Sequence, residues 1–183
     1  MGFGYKTINA EVLAWIVKRV TGERLATLTS GLIWAKLGAE HDAHHAVDSA
    51  GAEAGGGGLN TCLHDLARFG EAMRRDGRFN NRQIVPEAVV ADIRRGADRA
   101  QFVRGGDTTL PGWNYRNMWW VTHNAHGAYT ARGIHDQAIW IDPKAELVVV
   151  RDASHPLAAN SPQLDPTSLP AYEALGRHWL ATG

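Results

Sequence analysis

The chain has 183 residues, 44% of them hydrophobic and 21% charged, the make-up of one ordinary globular domain. Nineteen basic residues balance nineteen acidic ones, which removes the basic footprint that nucleic acid or an anionic membrane surface would need. No apolar run approaches the roughly eighteen residues of a spanning helix, nothing at the start has a signal-peptide pattern, and the single Cys62 excludes an internal disulfide. Compartment is left open, with the cytoplasm slightly favoured.

The first element is a helix. Val12, Leu13, Ile16, Val17 and Val20 fall on one stripe at helical spacing, and Gly22 is placed to stop it. Thr7 or Asn9 can cap its start through a side-chain oxygen. This sets Tyr5 just outside a helix N-terminus, in a glycine-rich approach. A second helix is expected over Leu25 to Leu37, closed by Gly38. Residues 40–58 carry small, polar and glycine residues with no sustained period and are expected to be irregular.

Helical period returns at Leu63, Leu66, Ala67, Gly70 and Met73, with Thr61 as the expected N-cap, and Pro86 opens a further helix through Val89, Val90 and Ile93. The segment from Arg94 to Tyr115 reads as loop. Three strands follow, Met118 to Thr122, Gln137 to Ile141 and Leu147 to Val150. The last two are joined by the hairpin sequence Asp142-Pro143-Lys144-Ala145-Glu146. They are apolar on both faces, so the sheet should be covered on both sides. A loop-like stretch from Ala153 to Leu169 precedes a final helix opened by Pro170 and carrying Tyr172, Leu175 and Trp179. Helices, antiparallel strands and a closing helix make an α+β fold.

The run Tyr5-x-Thr7-x-Asn9, followed by Val12-Leu13-Ala14-Trp15-Ile16-Val17-x-Arg19-Val20-Thr21-Gly22, resembles the second catalytic motif of the penicillin-recognising serine hydrolases. Within them it looks closest to the 6-aminohexanoate-dimer hydrolase and esterase branch. Gly133-Ile134-His135, leading into the strand after Gln137, matches the Gly-Ile-His that this branch has in place of Lys-Thr-Gly on an edge strand. Gly57-Gly58-Leu59-Asn60-Thr61 with Asp65-Leu66-Ala67-Arg68, and Met118-Trp119-Trp120, are similar to two further stretches bordering the family's cleft. The matches run from Gly2 to about Val150 and fade after Ser154.

The resemblance implies a β-lactamase/DD-peptidase-like fold and an acyl-enzyme reaction on a small amide or ester, with no cofactor. Tyr5 would be the general base and acid, with Thr7 and Asn9 shaping its hydrogen bonds. The Ile134 N–H would be one oxyanion donor, the nucleophilic serine's own N–H being the other. Gly56 and Trp119 would border the substrate, and Gly133 would let the acyl group approach the backbone. Ala131 and Arg132 stand where lysine and threonine would grip a carboxylate; Arg132 can still bind one, yet the change favours esterase or amidase chemistry over β-lactamase or peptidase chemistry. His135 reads as a packing or supporting group in preference to a base.

The family's nucleophile lies in a Ser-x-x-Lys motif N-terminal to the tyrosine, and no serine or threonine of this sequence has lysine three residues on. The expectation is therefore a single partial domain over residues 1–183, the C-terminal part of a serine hydrolase, inactive alone and open to pairing with an N-terminal half. The competing reading is a non-catalytic ligand-binding module. Glu40-His41-Asp42-x-His44-His45 has zinc-like spacing but no answering cluster, and reads as a solvated loop with no metal expected.

Overall fold

A computed structural model describes residues 2–105, 109–159 and 161–182, the last range by backbone alone over 161–164. Helix α1 spans Thr7–Thr21 and ends on Gly22, whose φ of 73° is a left-handed cap that glycine adopts at little cost. The helix expected over Leu25 to Leu37 is one rod in three parts, α2 (Leu25–Thr29), a π-helical turn (Ser30–Trp34) and α3 (Ala35–Leu37), with Gly38 at its end. Two-residue strands β1 (His44–His45) and β2 (Leu59–Asn60) pair across the irregular stretch between them. Then come α4 (Leu63–Arg74), the small hairpin β3 (Arg78–Phe79) and β4 (Arg82–Gln83), α5 (Glu87–Arg95) and α6 (Arg99–Arg104).

The core is an antiparallel sheet of β5 (Asn114–Arg116), β6 (Trp119–Val121), β7 (Tyr129–Arg132), β8 (Ala138–Asp142) and β9 (Leu147–Arg151), in that order, and α7 (Ser161–Thr182) closes the chain. Its register sorts the side chains by parity. Val121 pairs with Tyr129, Tyr129 with Ile141 and Ile141 with Val148; together with Trp119 and Ile139 this set packs on Met73, Val90 and Ile93 of α4 and α5. Trp120, Thr130 and Trp140 alternate to the other face, where Phe102, Leu110, Trp113 and Tyr172 cover Trp140. Both faces are thus closed, as the apolar strands require. Gly70 lets α4 come down on β8 and β9: a Cβ there would sit 2.7 Å from Val148 Cγ1.

Several expectations need correction. The loop from Arg94 to Tyr115 contains α6, started by Asp98, whose side chain accepts from the Ala100 N–H, and most of β5. The strand carrying Ala131 and Arg132 is the third of five, not an edge. The last helix begins at Ser161, with Pro166 and Pro170 inside it. Neither Thr7 nor Asn9 caps α1, since Lys6 holds the N-cap position without a side-chain bond; Cys62 and not Thr61 holds that of α4.

The apolar stripe of α1 is present but uncovered. Val12, Leu13, Ile16, Val17 and Val20 are 40–76% exposed, and Ile8 and Trp15 are open as well. The helix docks through its opposite, small face. Cβ atoms built on Gly55 and Gly56 would lie 2.3 Å from Ala14 Cβ and 2.5 Å from Thr7 Cγ2, so only glycine permits this approach.

Candidate active site

The residues before α1 are pinned to α6. The Phe3 N–H donates to the Gln101 carbonyl at 2.8 Å, and the Phe3 ring stacks on Phe102 at 5.0 Å and tilts against Tyr115 at 5.3 Å. Two residues on, Tyr5 leaves this anchored segment and lies over Trp120, ring centroids 6.2 Å apart, with Tyr115 edge-on at 5.9 Å. The Tyr5 side chain is half exposed, so its hydroxyl has an open side on a rigid aromatic shelf. Burial pushes the Tyr115 phenol up to about 12, and Tyr5 beside it adds to the shift. Tyr115 therefore stays protonated and serves as wall.

Trp120 also receives Arg132. The guanidinium carbon lies 5.6 Å from the indole centroid, and Nη2 donates to Asp165 of α7 at 2.5 Å. Both side chains of that pair are largely shielded, at 15% and 7% exposure. One indole thus touches the phenol from the chain's beginning and the last residue of β7.

Beyond β7 the backbone makes an unusual corner. Gly133 is extended, and its N–H closes on the Gln137 carbonyl at 2.8 Å. His135 and Asp136 then take φ of 58° and 70°, consecutive left-handed positions for non-glycine residues, each costing on the order of 1–3 kcal/mol. Neighbours hold the corner. The His135 N–H donates to the Ala158 carbonyl at 3.1 Å, its Nδ1 donates to the His155 carbonyl at 2.6 Å, and Asp136 pairs with Arg151 at 2.5 Å. Strain maintained in this way leaves the Ile134 N–H with no acceptor among the described residues, on a side chain 63% exposed. An unpaired amide fixed at a strained turn is the type of donor an oxyanion needs.

The other predicted residues divide. His135 uses Nδ1 and its backbone to hold the corner, which makes it a support. Gly56 is accounted for by its contact with Thr7, and its N–H goes to Glu11 Oε1 at 2.8 Å while that of Gly55 goes to Oε2 at 2.9 Å. These N–H groups, Gly55 first, hold the Glu11 carboxyl below its usual range. Thr7 therefore packs the loop, Asn9 is exposed, and neither side chain hydrogen-bonds Tyr5 among the described residues. Trp119 is the clear correction: it is 7% exposed, lies edge-on to Tyr129 at 5.2 Å, and belongs to the α4–α5 face. Strand alternation turns Trp120 to the opposite face, toward Tyr5. Arg132 is likewise not a free grip for a carboxylate, because Asp165 already holds it.

Sequence reasoning missed three groups: Glu11, Asp165 and the chemistry of Asp65. Asp65 is fully buried. Burial alone would raise its carboxyl, but the Glu40 N–H at 2.9 Å, the Cys62 thiol at 3.1 Å, the His41 N–H at 3.0 Å and Arg68 outweigh it and hold it far below the carboxylate range. Arg68 also pairs with Glu40, so the stretch weighed as a metal site is anchored to α4 at its start.

Comparison with known proteins bears on the family and the fold. Residues 2–157 match the family model described as Beta-lactamase. The 6-aminohexanoate-dimer hydrolase of Paenarthrobacter ureafaciens is 37% identical over 155 residues, an alignment covering 84% of this chain and 40% of that protein. A solved structure from Bacillus anthracis, proposed to be a 6-aminohexanoate-dimer hydrolase, superposes with a TM-score of 0.84 at 32% identity, covering 97% of this chain and 44% of that one. EstCE1, a hydrolase with promiscuous acyltransferase activity, shares the fold with a TM-score of 0.66 at 18% identity, covering 87% of this chain and 52% of its own. The chain thus spans less than half the length of these two 6-aminohexanoate-dimer hydrolase relatives.

Proposed function

The chain belongs to the beta-lactamase family, and from that premise we propose that it carries the proton-relay and oxyanion half of a serine-hydrolase site for small amides or esters. The observation that carries this reading is the shared contact on Trp120, which gathers the Tyr5 phenol and Arg132 at the end of β7, two residues before an Ile134 amide that has no acceptor among the described residues. In the reaction a serine Oγ attacks the acyl carbon as Tyr5 takes its proton. Charge collects on the carbonyl oxygen, where the Ile134 N–H donates, and Tyr5 returns the proton to the departing amine or alcohol. Water then repeats the attack on the acyl-enzyme and releases the acid.

The serine and its lysine have no counterpart in this sequence and come, on this reading, from polypeptide that the longer relatives possess. That polypeptide would also cover the open face of α1, where each large apolar side chain removed from water contributes about 1.5–3 kcal/mol. The chain alone is then inactive, since loss of a nucleophile from a coupled catalytic unit costs on the order of a millionfold in kcat. The test is hydrolysis of p-nitrophenyl esters by the chain alone and mixed with the N-terminal part of a relative. Turnover is expected only in the mixture, and Tyr5→Phe should abolish it. Turnover by the chain alone that vanishes in Tyr5→Phe would place a nucleophile within these residues and overturn the reading. The missing Ser-x-x-Lys also favours a second reading, a ligand-binding module; saturable binding of 6-aminohexanoate oligomers with no turnover even in the mixture would select it.

A further inference from the structure

The helical rod that follows α1 changes pitch just where Thr29 meets His45 of β1. Over Ser30–Trp34 it is π-helical, and the Ala35 N–H reaches back to the Ser30 carbonyl. Widened turns of this kind are rare and frequently mark functional sites. This one borders a cavity of about 190 Å³ that it shares with Thr29, Asp42, His44 and His45.

The chemistry of the cavity is one-sided. Asp42 is the one lining residue with a permanent charge, and no lysine or arginine lines it. The Asp42 and Ser30 side chains have no hydrogen-bond or ion-pair partner among the described residues. The His45 Nδ1 is buried and also lacks a partner there, while its Nε2 meets the Thr29 hydroxyl at 3.4 Å. With Nε2 protonated toward that hydroxyl, Nδ1 presents a lone pair. Trp34 spends its indole N–H on the His41 carbonyl at 2.9 Å, so only its ring is left to offer. Carboxylate, imidazole lone pair, hydroxyl and indole ring all accept, and a ligand must bring the donors. Leaving a buried nitrogen unpaired is costly, and a donor entering the cavity removes that cost.

We propose that this cavity binds a small primary alkylammonium ion. The ammonium brings one positive charge and three N–H donors, which suit Asp42, the His45 Nδ1 and the Ser30 hydroxyl, with the Trp34 ring beside them. The volume limits the ligand to the bulk of about six water-sized groups at roughly 30 Å³ each. An anion finds no cation here to receive it, and a neutral alcohol leaves Asp42 without a counter-charge. A metal ion fits less well, because among the described residues no three His, Cys, Asp or Glu side chains are grouped to hold one.

The test is an NMR titration of the full chain with n-butylammonium chloride, following the Trp34 indole N–H and the His45 ring protons. It is run at about pH 8, where a free alkylamine is protonated. The neutral and anionic counterparts of similar length are 1-butanol and sodium butyrate. Butylammonium should shift both signals and saturate, binding at least about tenfold more tightly than either counterpart, the scale of one charge-assisted contact. Asp42→Asn, at an exposed position, should weaken it about tenfold, and His45→Leu should weaken it as well. Equal binding of the three probes, or unchanged butylammonium binding in Asp42→Asn, overturns the proposal. So does zinc chloride that moves the His44 and His45 rings at micromolar concentration while butylammonium moves neither, since the cavity is then a metal site.

Discussion

The five-stranded sheet and α1 are written in equally apolar sequence and end in opposite states. Trp140 and Ile141 of β8 are sealed between helices, while Val20, Ile8 and Trp15 of α1 stand 76%, 63% and 64% exposed. The difference lies in what each element is given to pack on. The strands hydrogen-bond to one another and receive α4 and α5 on one face and α6 and α7 on the other. Among the described residues the helix receives the glycine loop at residues 55–56, on its small side, and α2 beside it. Hydrophobic period thus marks the face that wants cover, and it is silent on whether the cover is present.

Truncation should separate the two regions most sharply. Trp140→Ala opens a cavity in the closed sheet and is expected to cost about 3–5 kcal/mol in urea unfolding. A loss under 1 kcal/mol would mean that the α7 side of the sheet is not packed as described. Asp65→Asn, in α4 on the other side of the sheet, removes the charge that organises Glu40, His41, Cys62 and Arg68, and is expected to cost about 2–4 kcal/mol.

The Asp65 carboxyl is depressed in the folded state, so its contribution is present above the unfolded carboxylate value of about 3.9 and is lost as pH falls below it toward the folded value. Wild type should therefore show a steeper fall in stability below about pH 4 than Asp65→Asn; parallel acid slopes would remove Asp65 from that role.

At the junction of the two regions, Gly56→Ala drives a methyl against Thr7 and should cost about 1–3 kcal/mol, with the amide signals of Gly55 and Gly56 shifting as the loop lifts from Glu11. The smallest effect belongs to the open face. Val20→Ser should change stability by less than about 0.5 kcal/mol while lowering hydrophobic-dye fluorescence. A destabilisation comparable to that of Trp140→Ala would show that α1 is already covered, and the contrast would disappear.

Long periodic elements were legible. The helices at residues 7–21, 25–37, 63–74 and 87–95 and the strands β6, β8 and β9 follow from spacing, with boundaries a residue or two apart from those expected. The missed elements each have a local reason. β7 is only four residues, Tyr129-Thr130-Ala131-Arg132, too short for its alternation to stand out from its neighbours. α6 is six residues, below any helical period, and stands on the Asp98 cap. The early turns of α7 hide behind Pro166 and Pro170.

Within the candidate site, Tyr5 and Ile134 were named through a resemblance, as was Trp119, whose burial away from Tyr5 follows from a strand parity that adjacent tryptophans do not reveal. Motif resemblance was sufficient for the fold family, since those motifs are local sequence at a helix start and a strand end. Which indole carries the phenol, what neutralises Arg132 and which face of α1 stays open were decided only by tertiary structure. Each depends on groups brought together across dozens of residues, and no local pattern records that meeting.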